Sequence, residues 1–524
     1  MAMPQGLRKG LGSLTSVPIV IGLVVVINLL ALAFFFRIDL TSSRLYSLSD
    51  ASKKLARSLT DPVIVKLYFT EDLPAPYNAN ARYLKDQLYE YRAYSGGQLR
   101  FEFIDPIRQE KEDEAQTAGV PPVQVTIYEK DKAEQKKVYM GVVFLYEDKK
   151  EVLPLVQSTA NLEYEISSAI QKITSTVVPK VGILGGHGES GSDKLKTAVQ
   201  VLSKLYRVEP VTITPGELID SSVSALFIIS PADSIRPWDQ YAIDQYLMRG
   251  GKIAAFLDPV TVDLQNQTAS DRHTNWPAFL APYGIRVQQA LIIDARNAQI
   301  GVVQQQGYLR IQNLVQYPFM PQVFNFNKKL LLGKGLQGVD LPFVSPVDSA
   351  LAESLGLEFK PICWSSEHSG IRRAPYYISP MQEFRREDFN LAGQVLAGTI
   401  QGVFKTAFPA GAPPDSSVNS AVVPPTLQES PLTRLVVVGD GDFCSDQSIR
   451  NPSNGTLFLN IADWLTQEEG LITIRSREVT TRPLEELSDG ARRTVKYANI
   501  FGPPILVILF GVMRWQTRRR ARQN

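Results

Sequence analysis

Hydrophobic and polar positions fall into two rhythms along this chain. From Pro62 to Glu147 short runs change character quickly. PVIVKLYF (62–69) and LRFEFID (99–105) read as strands, NARYLKDQLYEYRAYS (80–95) as a helix, and QEKEDEAQTAG (109–119) as a short charged helix ended by a glycine. VPPVQVTIYE (120–129) and KKVYMGVVFLYE (136–147) alternate with period two around the polar KDKAEQ, which predicts a hairpin, and a helix over 161–174 follows. From Pro179 onward continuous apolar runs alternate with amphipathic ones. KVGILGG, RVEPVTI, SALFIISPAD and KIAAFLDP read as strands, with DKLKTAVQVLSKLY and PWDQYAIDQYLMRGG as the helices between them. Beyond these, TRLVVVGDGDF (433–443) predicts a central strand and NGTLFLNIADWLTQEE (454–469) a helix. Asn266 to His273 and Gln304 to Asn327 read as polar loops, and Lys405 to Pro431, rich in Pro, Ala and Ser, as a flexible one.

These rhythms predict an α/β protein with two domains. The order βαβ, α, β-hairpin, α over 61–176 matches a thioredoxin-like βαβαββα domain, with Pro121-Pro122 where that fold often places a cis-proline before its third strand. It has no CxxC, so it is not expected to exchange thiols. Strands that are apolar throughout, alternating with helices over 177–478, predict a Rossmann/flavodoxin-like parallel sheet covered on both faces, with loop insertions.

The ends change the picture. Val17 to Phe36 runs without a charge for long enough to span about 30 Å of hydrocarbon, and reads as a membrane helix rather than a cleaved signal peptide, whose apolar core is shorter. A second apolar stretch lies within 497–515, kinked at Pro503-Pro504 and followed by arginines. Arg8 and Lys9 before the first span and the basic tail after the second place both termini (1–16 and 516–524) in the cytoplasm, although Arg492, Arg493 and Lys496 oppose this weakly. The bulk is then extracytoplasmic, carried on stems at 37–60 and 479–496. Without the terminal cations, the net charge of +2 turns negative, so no nucleic-acid partner is expected. Cys363 and Cys444, with no metal-ligand spacing, are read as two buried thiols in preference to a disulfide.

Candidate chemistry centres on Gly186-His187-Gly188-Glu189-Ser190-Gly191, which has the G-x-G-x-x-G spacing, follows a strand and opens a helix, with Glu209 on the next strand. A nucleotide site is disfavoured because Glu189 sets a negative charge where the pyrophosphate would lie and His187 is bulky where backbone must approach. The extracytoplasmic compartment also holds little nucleotide. No cofactor is expected. A hydrolase or amidase would need a nucleophile elbow of the G-x-S-x-G kind, and the sequence has none. His187 with Glu189 could instead form an acid/base or metal pair with Asp258, Asp440 and Asp442 from neighbouring strand ends. The commoner use of such carboxylates is to cap loops and helix N-termini.

The segment RLYSLSDAS, the GHGE strand end (186–189), MRGGKIAAFLDP (248–259), YPFMP (317–321), GDGDF (439–443) with FLNIADWL, and the final apolar stretch with its arginine tail follow one another in an order that resembles the GldG-like gliding-motility auxiliary components of ABC-type transporters. That resemblance implies a membrane-anchored, non-enzymatic subunit with an amidotransferase-like extracytoplasmic domain lacking the catalytic residues. It also implies an ATPase and a multi-span permease supplied in trans, in the bacterial cytoplasmic (inner) membrane with its bulk in the periplasm. Gly186, His187, Gly188 and Glu189 carry over as motif positions with no assigned role, and Asp440 and Asp442 as candidate positions. Residue reading agrees with this: there is no Walker A pattern, and two spans are too few for a translocation pathway. A membrane-anchored hydrolase or amidase, or an envelope scaffold without a transporter, are the alternatives. Membrane lipid is an expected partner, and self-association is compatible with the sequence.

Overall fold

The apolar runs of the second rhythm become the middle of an eight-stranded sheet in a mixed α/β protein. The computed structural model describes residues 47–477 apart from 72, 74–76, 130–131, 160, 176–177, 192, 307–308, 415–424 and 467–468, together with 22–23, 494, 496–497, 499–501 and 511. Most of the apolar segments within 17–36 and 497–515, both tails and most of the two stems together therefore lie outside the described residues. Among the described residues no helix is long and apolar enough to cross a membrane.

In the N-terminal part, β1 (Val63–Phe69) pairs in parallel with β2 (Leu99–Ile104) across helix α2 (Tyr77–Tyr94). After α3 (Glu112–Thr117) come β3 (Val123–Glu129), β4 (Lys132–Val138), β5 (Met140–Tyr146) and β6 (Lys149–Leu153), then α4 (Leu162–Thr174). The sheet order is β2-β1-β5-β6, with β5 antiparallel to both β1 and β6. The expected hairpin differs in detail. β3 and β4 form a separate two-stranded ribbon, and the run 136–147 breaks at Tyr139, whose carbonyl and amide are held by Thr70. The strand entering the main sheet is thus β5, well beyond the prolines. Neither bond at Pro121 and Pro122 is cis, and among the described residues the cis peptide is Ala374–Pro375.

Helix α1 (Asp50–Arg57) lies in the stretch read as a stem, yet it is bolted to this unit. Ser49 caps it by accepting from Ser52 N, Leu48 N donates to Glu90, and the buried Glu163 accepts from Ser49 N and Ser52 Oγ. Leu48, Ala56 and Leu59 are buried with Val65, Leu88 and Ile166, which explains the i, i+4 spacing of Leu55 and Leu59 as one packed face.

The large sheet runs β11 (Asn325–Phe326), β12 (Glu358–Trp364), β13 (Val395–Gly402), β14 (Thr433–Val438), β10 (Ile253–Phe256), β9 (Val223–Ile229), β7 (Lys180–Gly185), β8 (Arg207–Thr212). From β14 to β8 neighbours are parallel, and from β14 to β11 antiparallel. Its interior strands read as unbroken apolar runs because both faces are covered. On β9, Ala225, Phe227 and Ile229 face α5 (Lys196–Leu202) and α7 (Pro452–Thr466), while Leu226 and Ile228 face α6 (Pro237–Met248). TRLVVV indeed occupies a central position as β14.

Two expected loops are ordered otherwise. Asn297–Gln306 and Leu309–Val323 form a long antiparallel hairpin through the glutamine-rich stretch, since a ladder satisfies backbone groups whatever the side-chain polarity. Thr268–Asp271 is likewise a strand. The described ends of the 405–431 segment are fixed to α6. Asp244, fully buried, accepts from Thr406 Oγ1 at 2.7 Å and Ala407 N at 2.9 Å, while Leu427 N donates to Gln245 at 2.9 Å. That cover is why α6 is buried on almost every side. A last helix, α8 (Glu469–Arg477), packs against α7, α4 and α1.

Candidate functional site

The GHGE loop follows β7, Ser230 follows β9, Asp258 follows β10, and Asp440 follows β14, so all four lie at the carboxyl edge of the parallel strands. The chain leaves β7 for β8 on one side and later returns to β9 on the other. That makes this edge the topological switch point where open α/β sheets bind ligands.

Here the crevice is occupied by the protein's own loops. Gly186 and Gly188 adopt φ of +114° and +70°, which turns the His187 carbonyl toward Ala232 N at 3.0 Å and Asp233 N at 2.8 Å. His187 N, an amide that could cradle a phosphate, instead donates to the Glu189 carboxylate at 2.6 Å. Ser190 N donates to the Ile229 carbonyl. Glu209 stays in β8, paired with Lys180 and Arg207, and does not complete a ribose site. The glycine spacing thus serves a tight turn.

The His187 side chain is 3% exposed. Its Nδ1 lies 2.9 Å from Glu189 Oε1 and its Nε2 2.8 Å from Asp239 Oδ2. Asp239 also accepts from Arg236 Nε at 2.8 Å, and Trp276 meets the imidazole edge-on. Burial alone would lower the His187 pKa, but the hydrogen bonds and charges of Asp239 and Glu189 outweigh it and hold the ring up at about 9. Burial pushes the two carboxylates up, and their bonds to His187 outweigh it and hold both below the usual range. An imidazolium with both nitrogens donating cannot take a proton, so this is a clamp between β7 and α6. Sequence reading found His187 and Glu189 but not Asp239. The available signal was R-P-W-D, which sets Arg236 and Asp239 one turn apart at a helix start.

The strand-end carboxylates form a second, separate group. Gly441 N donates to Asp258 Oδ1 at 2.8 Å, and Asp442 N to Asp440 Oδ1 at 2.7 Å, so two of the carboxylates cap the turn after β14. Asp440 is fully buried, its Oδ2 lacks a hydrogen-bond partner, and burial with the neighbouring Asp258 and Asp442 charges pushes its pKa well up. Burial and Asp258 push Asp442 up to about 6, against Lys194 and Arg272. Ser230, a non-glycine residue at φ +52°, presents a buried Oγ without a partner. An adjoining cavity of about 30 Å³ beside Asp258 and Arg272 has room for a water and little more. Among the described residues no three His, Cys, Asp or Glu side chains are arranged to hold a metal ion.

Both cysteines are buried free thiols. Burial pushes Cys363 up to about 12 and Cys444 well above its ordinary value, and Cys444 Sγ donates to the Gly441 carbonyl at 3.3 Å, so neither is an activated nucleophile.

The glycines of GDGDF let this turn close. A Cβ on Gly439 would sit 1.9 Å from the Ser345 carbonyl oxygen, whereas one on Gly441 would meet the rotatable Ser230 Oγ. Gly439→Ala is therefore expected to cost about 1–3 kcal/mol, more than Gly441→Ala. Thermal denaturation of the pair checks this, and the reverse order would contradict it.

Residues 178–467, more than half of the chain, match the family described as ABC-type uncharacterized transport system. Residues 42–145 match a domain of unknown function. The chain is 22% identical over 507 residues to an uncharacterized protein of Borreliella burgdorferi, covering 93% of this chain and 94% of that protein. Similar solved structures include the N-terminal domain of mmIFT52, with a TM-score of 0.34, 13% identity, and coverage of 55% of this chain and 97% of that one. A ThuA-like protein from Parabacteroides merdae has a TM-score of 0.28, 12% identity, and coverage of 59% and 93%.

Proposed function

We propose, for a chain that belongs to the ABC-type uncharacterized transport system family, that it is a non-enzymatic auxiliary subunit of the GldG-like kind. In this reading 17–36 and 497–515 anchor it in the bacterial cytoplasmic membrane with both termini inside, and its bulk lies in the periplasm. The transporter's ATPase and multi-span permease act in trans. The four-stranded unit is read as thioredoxin-like, on the order β2-β1-β5-β6 and the directions of its strands. The large domain is read as amidotransferase-like without its chemistry.

The observation that supports this most is the closed carboxyl edge of the sheet. The protonated His187 spends both ring nitrogens on Glu189 and Asp239, and the adjoining loops donate into the space a substrate would need. An edge locked this way suits a body that transmits force or position better than one that turns over substrate. The test is purification of the tagged full-length protein in mild detergent from its native host. An ATPase and a permease in stoichiometric amount support the reading. Elution alone, with hydrolytic activity that depends on Asp440 or Asp442, would replace it with the hydrolase.

A further inference from the structure

The outer strand of the long hairpin, Asn297–Gln306, stands at the end of a three-stranded sheet and pairs on one side, with Leu309–Val323. Among the described residues no strand meets its other side. That side runs for about 33 Å and presents a row of backbone N–H and C=O groups, which another extended strand would answer.

Open edges are usually blocked by charge, proline, shortness or a bulge. The edges of the two larger sheets follow that rule. β8 carries Arg207, Glu209 and Pro210, β2 carries Arg100 and Glu102, β6 carries Lys149, Lys150 and Glu151, and β11 is two residues long. The second strand of the hairpin holds Arg310, Pro318 and Pro321. From Asn297 to Leu309, by contrast, there is neither a charge nor a proline. The register shift between Asn297 and Gln299 lies at the base of the outer strand and leaves Gln299 to Gln306 in regular pairing. The base is also fixed, because Ile300 packs against the cluster of Tyr317, Phe319 and Tyr376. The other face of the hairpin is open: Gln299, Gly301 and Gln316 are exposed, and Leu314, across from Gly301, is 68% exposed.

A charged strand would find no counter-ion along this edge. A second copy of the same strand is equally long and uncharged. A two-fold axis through a residue sets outward-pointing backbone groups against their like, so one antiparallel pairing closes the edge of both copies and leaves no place for a third. With the axis at Val302, that residue faces its own counterpart and Gln299 faces Gln305, which uses the regular stretch from end to end.

We propose that the Gln299–Gln305 edge is a self-association surface, at which two copies of this chain join their hairpins into one continuous antiparallel sheet about a two-fold axis at Val302. The proposal is independent of the closed strand ends and of the transporter partners.

The test uses the full chain in detergent, followed by sedimentation equilibrium, and a dimer is expected. Gly301→Lys and Gly301→Glu alter an exposed position, and each sets like charges about 7–8 Å apart, diagonally across the axis. Either should weaken dimerisation at least about tenfold, with the melting temperature showing that the fold is kept. Mixing the two variants sets unlike charges together and should restore the dimer. Both native thiols are buried, so Val302→Cys should give a disulfide-linked dimer on mild oxidation, whereas Gln316→Cys, on the second strand of the hairpin, should not. A monomeric wild type, a dimer that survives both charged variants, no recovery on mixing, or equal crosslinking at Val302 and Gln316 would each overturn the assignment. Crosslinking of Val302→Cys to a different protein in native membranes would give the edge to another partner and overturn it too.

Discussion

Replacing His187 by alanine is expected to cost about 3–5 kcal/mol at neutral pH, the range for breaking a buried ion pair from one side. The cause is what remains. Glu189 is left with the amide of residue 187 as its close donor, and Asp239, fully buried, with Arg236, which is itself 59% exposed and so screened. The effect has a defined pH signature. The His187 pKa of about 9 lies above the unfolded value near 6.5, so its contribution is fully present below about 6.5 and is lost as pH rises through 9. Glu189 and Asp239 are shifted down, so their contribution is present above their unfolded values near 4 and is lost as pH falls below them. The clamp should be strongest between about pH 5 and 6.5. Denaturant titrations of wild type and His187→Ala at pH 6, 8 and 10 should show the difference largest at pH 6 and smallest at pH 10. A constant difference would mean that the ring acts by packing alone. If the auxiliary reading is correct, the same variant loses assembly with its partners in step with stability.

Much of the architecture is legible in the sequence because burial on two faces leaves a plain signal. VSALFII and TRLVVV are apolar at both odd and even positions, and both proved to be interior strands, the first parallel to both neighbours and the second parallel to β10 but antiparallel to β13, where the sheet expected to be parallel becomes mixed. The signal fails where backbone pairing and side-chain polarity part company. Gln304 pairs with Ile311 and Gln305 with Arg310 in a ladder that composition presents as a loop. It fails again where one period-two run serves two sheets, as at Tyr139 between β4 and β5. Of the site, the local pair His187 and Glu189 is readable, two residues apart in one glycine turn. Asp239 lies 52 positions from His187, and only the fold brings β7 and α6 together. The raised pKa values of Asp440 and Asp442 come first from burial and then from a third strand end, at Asp258, and spacing alone shows neither.

Arg475→Met should be about as damaging, again about 3–5 kcal/mol, because it strands Asp463, which has no exposed surface. Arg475 binds more than its counter-ion. It donates to Asn460 Oδ1 at 2.6 Å and Asp463 Oδ2 at 2.8 Å on α7, and to Tyr164 OH at 2.9 Å on α4, with the guanidinium 4.5 Å from the centre of the Tyr164 ring. One side chain on α8 therefore ties the N-terminal unit to the large domain. Burial already pushes the Asp463 pKa up, against the pull of Arg475 and Tyr206. Without Arg475 that shift grows, and an acid raised above its unfolded value destabilises the fold increasingly as pH rises past that value. The deficit of Arg475→Met should accordingly shrink as pH falls toward 5. Adding Asp463→Leu removes the stranded charge and should restore most of the loss, although the Tyr206 hydroxyl then lacks its acceptor and Asn460 Oδ1 its donor, so recovery stays incomplete. Denaturant midpoints of the single and double variants at pH 5 and 8 decide the matter. If the double variant is no more stable than Arg475→Met, the arginine acts as the tie between α8 and α4 and not as the counter-ion of Asp463, and its loss should then expose α1, α4 and α8 together to amide exchange.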